Sequence, residues 1–534
     1  MIKRHVFFWA CFWAAVFFQS PCDGEAYSFL FALPMPTKSH FTTNVVLAEE
    51  LVRRGHKVTV LSPYPREIPI FQEIIIDINI FNDTPEERNL ADHGGMNAFQ
   101  YSYHRWNKMR EKLDRALATR EVQELMMSDS HYDVVLADLS FFQTCLLALG
   151  SRFNASVIDL SATAPSTFTA SLTGNPFPFS TMVSTLLPLS SKMSIWGRLQ
   201  NTLLCSWNLI GEYLYQVPRQ DALMRRHLCQ PPCEHLPPLR KLLTNVSLVL
   251  VNTHFSMNRA RPMAPNMVEV GGFHLKPPKP LPTCLQRFMD EANQGVIYFY
   301  LGSMVDDETL GARRFQSIIT ALGRLKQRVV FNWKESASFK PSANVLVHPW
   351  APQQDILGHR NCVLLVTHGG QRSLIEVTWA GVPVLCIPVF SDQFQNVRFY
   401  EESGIGKRLD LELLTCDTLV SSINTIIDTP SFARKAKELA RRVRDRPMPP
   451  LETAIFWIEY VARHGGAHHL KPSSVYMSYH EYLLLDVIFS AILVPLISLL
   501  AWKFTHDRKL TVDLPFVQKL VKKVWQEFRV KLHL

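Results

Sequence analysis

Two groups of residues in this 534-residue chain have types and spacing suited to chemistry. The first is His40 with Asp138. His40 follows the apolar run Tyr27–Leu33 and the loop Pro34-Met35-Pro36-Thr37-Lys38-Ser39, and Asp138 comes directly after Val134–Ala137 in DVVLADLSF. A residue just past a buried-type strand stands at the strand's carboxyl end, where open α/β sheets bind their ligands. A neutral imidazole there can take a proton from a hydroxyl, while a carboxylate on the other ring nitrogen fixes the tautomer and stabilises the imidazolium. Both residues also have ordinary readings, His40 as a cap or exposed loop residue and Asp138 as a strand-end turn. His56, in RGH, reads as structural.

The second group lies between Val345 and Gln393. Val363–Val366 reads as a short buried strand, His368-Gly369-Gly370 as a tight turn, Gln371–Ala380 as a helix stopped by Gly381, and Val382 onward as a second buried strand. Adjacent glycines at the strand-to-helix corner let backbone approach a ligand, and the free N–H groups of the helix start favour an anion such as phosphate. The lysine of a nucleotide-hydrolysing P-loop is missing, which argues against an ATP or GTP hydrolase. His368, Gly370 and Ser373 sit at the helix start. Trp350, placed before Pro352 at a loop tip, can stack on a flat ring. Gln353 can hydrogen-bond to a base or ribose, Glu376 can accept from vicinal hydroxyls, and Asp392 with Gln393 suits a pair of sugar hydroxyls. Singly, each fits a core, solvated-face or turn role; as an ordered set they read as one binding site.

Elements that position these groups follow from hydrophobic pattern. Tyr27–Leu33 and Lys57–Leu61 read as strands around a helix through Val45, Val46, Ala48, Leu51 and Val52, closed by Gly55. Residues 82–124 and 163–233 are less regular, with Met, Phe and Trp spread through helical pieces such as Met193–Tyr215. HLKPPKPLP (274–282) reads as a stiff extended linker. Beyond it come a helix at Leu285–Glu291, strands at Val296–Tyr300, Val329–Trp333 and Val345–Val347, a basic helix at Ser431–Arg446 and another at Pro450–His464. Asp306-Asp307 reads as an acidic helix start suited to the dipole, not as a metal site.

Trp350-Ala351-Pro352-Gln353, Thr367-His368-Gly369-Gly370, Glu376, Gly381-Val382-Pro383, Pro388 and Asp392-Gln393 together resemble the donor-binding signature of UDP-glycosyltransferases. LPMPTKSHF…LVRRGHKVTVLSP resembles the start of the animal members, and Leu301-Gly302-Ser303 their LGS turn. The resemblance covers nearly the whole chain. It implies an α/β fold of the GT-B type, two Rossmann-like domains facing across a cleft, with a C-terminal transmembrane helix. It implies His40 as catalytic base, Asp138 as its orienter, and Ser303, Trp350, Gln353, His368, Gly370, Arg372, Ser373, Glu376, Asp392 and Gln393 around a UDP-sugar. No cofactor or metal is expected, the UDP-sugar being a co-substrate. Arg372 departs from the family, where Asn or a small or apolar residue is common; it either contacts phosphate or points to solvent. WKE (333–335) and the SHF loop look more like invertebrate members, which places UDP-glucose ahead of UDP-glucuronate. The acceptor implied is a small lipophilic alcohol, phenol or steroid; a lipid-directed galactosyl transfer and a non-catalytic binding protein of the same fold are the alternatives.

The expected organisation is a signal peptide at 1–24, an acceptor-binding domain at 25–270, a linker at 271–284, a UDP-sugar-binding domain at 285–470, a membrane span at 482–502 and a basic cytosolic tail at 503–534. Lys3-Arg4 followed by the apolar run Val6–Phe18 is the pattern of a secretory signal. Tyr482–Trp502 is apolar and of spanning length, and Lys503, Arg508 and Lys509 follow it, so the positive-inside rule makes the chain single-pass type I in the endoplasmic-reticulum membrane with a lumenal catalytic part. The formal charge of +9 concentrates in that tail, where eight basic and three acidic residues leave +5. With Lys3 and Arg4 set aside, about +2 remains for the folded part, which speaks for a membrane surface and against nucleic acid. A homo-oligomer is compatible with this reading. Ten cysteines are too few for a disulfide scaffold of this size; Cys229 and Cys233 suit either a local bridge or free thiols. Sequons at Asn82, Asn154 and Asn245 fit lumenal exposure.

Overall fold

Runs such as Phe29-Leu30-Phe31-Ala32, Val134–Ala137 and Val296–Phe299 are apolar at every position, the pattern of strands covered on both faces, and they form the centres of two parallel sheets. The computed structural model describes residues 25–82, 96–229, 235–302, 305–333, 340–506 and 519. Among these, the first sheet has the order β3-β2-β1-β4-β5-β6-β7, with β1 Ser28–Ala32, β2 Lys57–Ser62, β3 Gln72–Ile75, β4 Val134–Ala137, β5 Ser156–Ser161, β6 Val246–Val251 and β7 Met267–Glu269. The second has the order β10-β9-β8-β11-β12-β13, with β8 Val296–Tyr300, β9 Arg328–Asn332, β10 Val345–His348, β11 Cys362–Thr367, β12 Val384–Cys386 and β13 Gly406–Arg408. Each is a doubly wound Rossmann-like sheet with apolar side chains packed on both faces.

The helices that matter for the site are α1 Lys38–Arg53, α2 Ala98–Leu117, α3 Ile195–Gly211, α4 Gln371–Ala380, α5 Gln393–Ser403 and α6 Pro450–Arg463. The first begins well before the apolar periodicity does. Lys38, Ser39 and His40 form its first turn, so His40 stands on a helix start and not in the loop expected from sequence. That turn borders the cleft and buries no continuous stripe, so the pattern carries no helical signature there.

After a turn at 271–274 the proline-rich segment 275–282 runs without regular structure, as its prolines dictate. It is pinned to the second half through Lys276 N–H to Gln354 Oε1 (3.0 Å) and Lys279 N–H to Asp355 Oδ1 (2.8 Å). Helix α6 packs Ala454, Ile455, Ile458 and Val461 into the core beneath the first sheet, with Phe29, Phe31 and Leu51. Arg54 receives Glu452 (2.5 Å) and Glu459 (3.3 Å) from it. Periodicity shows that such a helix has a buried face, not which sheet the face meets.

A separate unit begins at Tyr476. It contains α7, Leu485–His506, of which Leu485–Lys503 is long and apolar enough to cross a membrane. The expected signal segment and most of the tail lie outside the described residues, as do Ser303, Glu335 and Cys233.

Candidate active site

Parallel pairing brings the first chemical pair together. β1 lies between β2 and β4, with Ala32 opposite both Leu61 and Ala137, so the loop after β1 and the residue after β4 meet at one sheet edge. There His40 Nδ1 lies 2.5 Å from Asp138 Oδ2, and the Asp138 side chain is only 3% exposed. Its other oxygen accepts from the Ser140 N–H (3.1 Å) and the Ser140 hydroxyl, and its backbone carbonyl accepts from Gln143 Nε2 (2.8 Å). The carboxylate is therefore held by fixed donors before any substrate arrives. With the Nδ1 proton directed at Asp138, the basic nitrogen of the ring is Nε2.

Behind this pair sits Asp159, opposite Ala137 on β5 and fully buried. Its Oδ1 accepts from the Leu139 N–H at 3.0 Å. Burial, with the charge of Asp138 adding to it, pushes its carboxyl up to about 8, so at neutral pH it is chiefly a neutral acid. Sequence reading missed it, because an aspartate inside an apolar strand carries no mark of its neighbour.

The second group converges on the start of α4. Gly369 has φ +88°, and a Cβ there would lie 2.8 Å from Val397 Cγ2. The Nε2 end of the His368 ring packs close to two glycines: a Cβ on Gly302 would lie 2.8 Å from that nitrogen and one on Gly370 2.6 Å. Burial lowers His368 to about 4 and keeps it neutral. The first-turn N–H groups of α4 thus open beside a neutral ring and Ser373, an arrangement fit for an anion.

Glu376 is the most densely partnered group of the site. Its carboxylate accepts from Gln353 Nε2 (2.5 Å), Gln354 Nε2 (3.2 Å) and Arg372 Nε (2.8 Å), and His274 Nε2 stands 3.4 Å away. Burial alone would raise its pKa, but the Arg372 cation and His274 outweigh this and bring it down to about 2. Arg372 has protein partners on both sides of the cleft. Besides binding Glu376, its guanidinium donates to Thr42 Oγ1 on α1, across the cleft. Trp350 is 58% exposed at a loop tip, as expected, with Lys38 Nζ 4.1 Å from its ring centroid. Asp392 accepts from Asn396 Nδ2 (2.7 Å). Gln393 is buried, and its side-chain Oε1 accepts from the N–H groups of Val389 (2.7 Å) and Phe390 (3.0 Å), so that atom shapes its own loop.

His40, Trp350, Gln353, His368, Gly370, Arg372, Ser373, Glu376, Asp392 and Gln393 all border one cleft of about 1090 Å³. Asp138 stands directly behind His40. Lys38, Thr42, His274 and Gln354 join them and were not singled out in the sequence. Gln354 is the neighbour of Gln353, and Lys38 and Thr42 flank His40; His274 had only its place in the linker. The first-domain side of the cleft is formed by α2, Phe168, Phe177, Leu186, Asn208 and Glu212. Glu212 opens a π turn, Glu212–Gln216, and burial pushes its carboxyl well up, with Arg105 and a hydrogen bond from Trp106 opposing. The Trp106 indole lies where a Cβ on Gly211 would come within 2.0 Å.

Comparison with known proteins agrees with this geometry. Solved structures of similar fold include the calicheamicin glycosyltransferase CalG4 (TM-score 0.52, 16% identity, covering 82% of this chain and 99% of that one) and the glycosyltransferase VinC in complex with DTDP (0.54, 16%, 82% and 100%). The fold is GT-B. The chain is 32% identical over 460 residues to UDP-glucosyltransferase 2 of Dactylopius coccus, covering 85% of this chain and 88% of the relative. It is 31% identical over 479 residues to UDP-glucuronosyltransferase 2C1 of Oryctolagus cuniculus, covering 84% and 92%. The model of the family described as UDP-glucoronosyl and UDP-glucosyl transferase matches residues 29–507. This chain therefore belongs to that family and is a UDP-glycosyltransferase.

Proposed function

We propose that the protein transfers glucose from UDP-glucose to a hydroxyl of a small lipophilic acceptor, with inversion and without a metal ion. The observation that carries this reading is the His40–Asp138 pair at 2.5 Å, on the same cleft as the open start of α4. His40 Nε2 takes the acceptor's hydroxyl proton as its oxygen bonds to the anomeric carbon. The bond from that carbon to the diphosphate oxygen breaks on the opposite face, its electron pair leaving with UDP. One such displacement inverts the anomeric centre. Asp138 stabilises the imidazolium that forms. The α4 N–H groups and Ser373 receive the diphosphate, so helix and side-chain donors take the part a cation plays in other classes.

Trp350 stacks on the uracil, Gln353 and Glu376 face the nucleoside, and Asp392 and Gln393 meet the sugar hydroxyls. Glucose is favoured by the likeness to a UDP-glucosyltransferase and by the invertebrate-like WKE (333–335) and SHF segments. UDP-glucuronate is the second reading: Arg105 donates to Ser391 Oγ at 2.9 Å, beside Asp392, and a cation there suits a sugar carboxylate. We further read Leu485–Lys503 as a bilayer span with the catalytic part in the lumen of the endoplasmic reticulum.

The test is UDP release by membranes carrying the full chain or its His40→Ala variant, supplied with either donor, a panel of phenols and steroids, and EDTA throughout. Turnover with UDP-glucose that disappears in the variant, while UDP binding persists, is expected. Turnover that needs a divalent ion, or survives in the variant, overturns the mechanism; turnover with UDP-glucuronate alone overturns the donor.

A further inference from the structure

Glu212 is a carboxyl that the transfer chemistry leaves without a task. It is 5% exposed, and among the described residues it forms no salt bridge. Arg105, the cation whose charge reaches it, directs its guanidinium to Ser391 Oγ (2.9 Å) and over the Phe142 ring, 5.8 Å from the centroid. The Trp106 indole is the hydrogen-bonding side chain beside it. A buried acid with so little compensation from the protein keeps its proton and turns its free hydrogen-bonding capacity toward whatever enters beside it. What enters is substrate: Asn208 and Glu212, one helical turn apart, both line the catalytic cleft.

The local structure holds it there. α3 runs into a single π turn, Glu212–Gln216, a form that appears frequently at functional sites. Trp106, packed against Gly211 next to Glu212, meets Phe142 edge-on at 6.4 Å between centroids. Phe142 comes shortly after Asp138 in the chain and holds φ +59°, a conformation that bulky side chains rarely adopt. One aromatic wall of the cleft therefore runs from the His40–Asp138 pair through Phe142 and Trp106 to Glu212.

We propose that Glu212 selects acceptors with a flat skeleton that carry a second oxygen function, at the end away from the hydroxyl that His40 deprotonates, and holds that oxygen by a hydrogen bond. The proposal rests on the reading of this cleft as the place of transfer to an acceptor hydroxyl. Burial pushes the Glu212 carboxyl well up, so near neutral pH it presents an O–H donor as well as a carbonyl, and a ketone or hydroxyl can answer it. An acceptor that is apolar at that end leaves the acid buried with no substrate partner, and a site built to hydrogen-bond discriminates against such an analogue. A cationic group is the poorer match, because the charge of Arg105 already acts on the same place.

The test is equilibrium dialysis of the full chain in detergent micelles with saturating UDP, against micelles alone. The probes are 6-acetyl-2-naphthol and 6-isopropyl-2-naphthol, nearly equal in shape and different in the one oxygen. Wild type is expected to bind the acetyl compound about tenfold or more tightly than the isopropyl one. Glu212→Leu is expected to lose that preference, and Glu212→Gln, which keeps a donor and an acceptor, to retain it. Equal UDP affinity in all three proteins serves as proof of fold. Turnover does not enter this measurement, so a failure of glucosyl transfer sinks the proposed reaction and leaves the binding result to stand by itself. The proposal is overturned if wild type binds the two probes equally or binds neither, if Glu212→Leu keeps the preference, or if 6-aminomethyl-2-naphthol binds wild type more tightly than the acetyl compound, which would make Glu212 the charged partner of a cation.

Discussion

Arg372 and Thr42 join the two halves of the cleft: the guanidinium of a residue in the first turn of α4 donates to the hydroxyl of a residue in the first turns of α1. The same guanidinium holds Glu376, so one side chain both ties the two sides of the cleft and pairs with the carboxylate behind the donor site.

The two contacts of Arg372 separate by mutation. Thr42→Val removes the tie across the cleft together with the exposed bond from the same hydroxyl to Ser39 O (3.2 Å), and should cost about 1 kcal/mol or less. Arg372→Leu also strips a cation from a buried carboxylate and should cost about 1–2 kcal/mol, the figure being held down by the partial exposure of Arg372. The pH dependence should change as well. Glu376 has a folded pKa of about 2 against an ordinary 4.5, so its stabilisation is complete above pH 4.5 and is lost as pH falls through about 2. Without Arg372 the folded pKa rises and the acid loss begins at higher pH. Melting curves between pH 2.5 and 7 check this; superimposable curves for wild type and Arg372→Leu would contradict it.

Asp138 and Asp159 should respond oppositely to the same substitution. Asp138→Asn removes the acceptor that orients His40, and kcat should fall by about 10²–10⁴ with UDP affinity retained. Asp159→Asn keeps an oxygen for the Leu139 N–H and removes a carboxyl that is disfavoured when charged. Between its ordinary 3.8 and its folded value of about 8, the folded protein keeps a proton that the unfolded chain has released, so stability declines as pH rises through that window. Asp159→Asn should flatten the decline and raise stability near pH 8 by an amount on the order of a few kcal/mol. Equilibrium unfolding at pH 5 and pH 8 decides; a variant no more stable than wild type at pH 8 would refute the argument.

Much of this was legible in the sequence, for identifiable reasons. Val134–Ala137 and Val296–Tyr300 are apolar throughout because both faces are buried, so their bounds could be read to the residue. The stop at Gly381 follows from its φ of +75°. Contacts across the cleft could not be read. Arg372 meets Thr42 from 330 positions away, and His274 lies in a proline-rich run yet is buried beside Glu376. The first turn of α1 was missed because its side chains line the cleft and bury no stripe.

Trp350 combines an exposed ring with a cation above it, which suits a site that a base enters by displacing Lys38. Trp350→Ala should weaken UDP binding by about 1–3 kcal/mol, the range for base stacking on an aromatic side chain. Lys38→Ala should weaken it less or tighten it, since it frees the ring face. Calorimetric titration with UDP measures both; an unchanged Trp350→Ala affinity would remove Trp350 from the site.

Gly302 gives the sharpest test of how the two phosphate-side turns depend on each other. It has φ +90°, and the nearest atoms to an added Cβ are the Cε1 and Nε2 of His368, both at 2.8 Å. An alanine must therefore accept the strained backbone at about 1 kcal/mol or more and also push the imidazole. The Gly370 main chain, at the α4 start, stands close to the same end of the ring, since a Cβ built there would lie 2.6 Å from the same nitrogen. The displacement must reach the helix N-terminus that receives the diphosphate. Gly302→Ala should thus lose UDP affinity by more than tenfold while remaining folded, whereas Gly55→Ala, at φ +90° with nothing within 4 Å of its Cβ, should lose stability alone. Equal UDP affinity in the two variants would mean that His368 is not what links the β8 loop to the anion site.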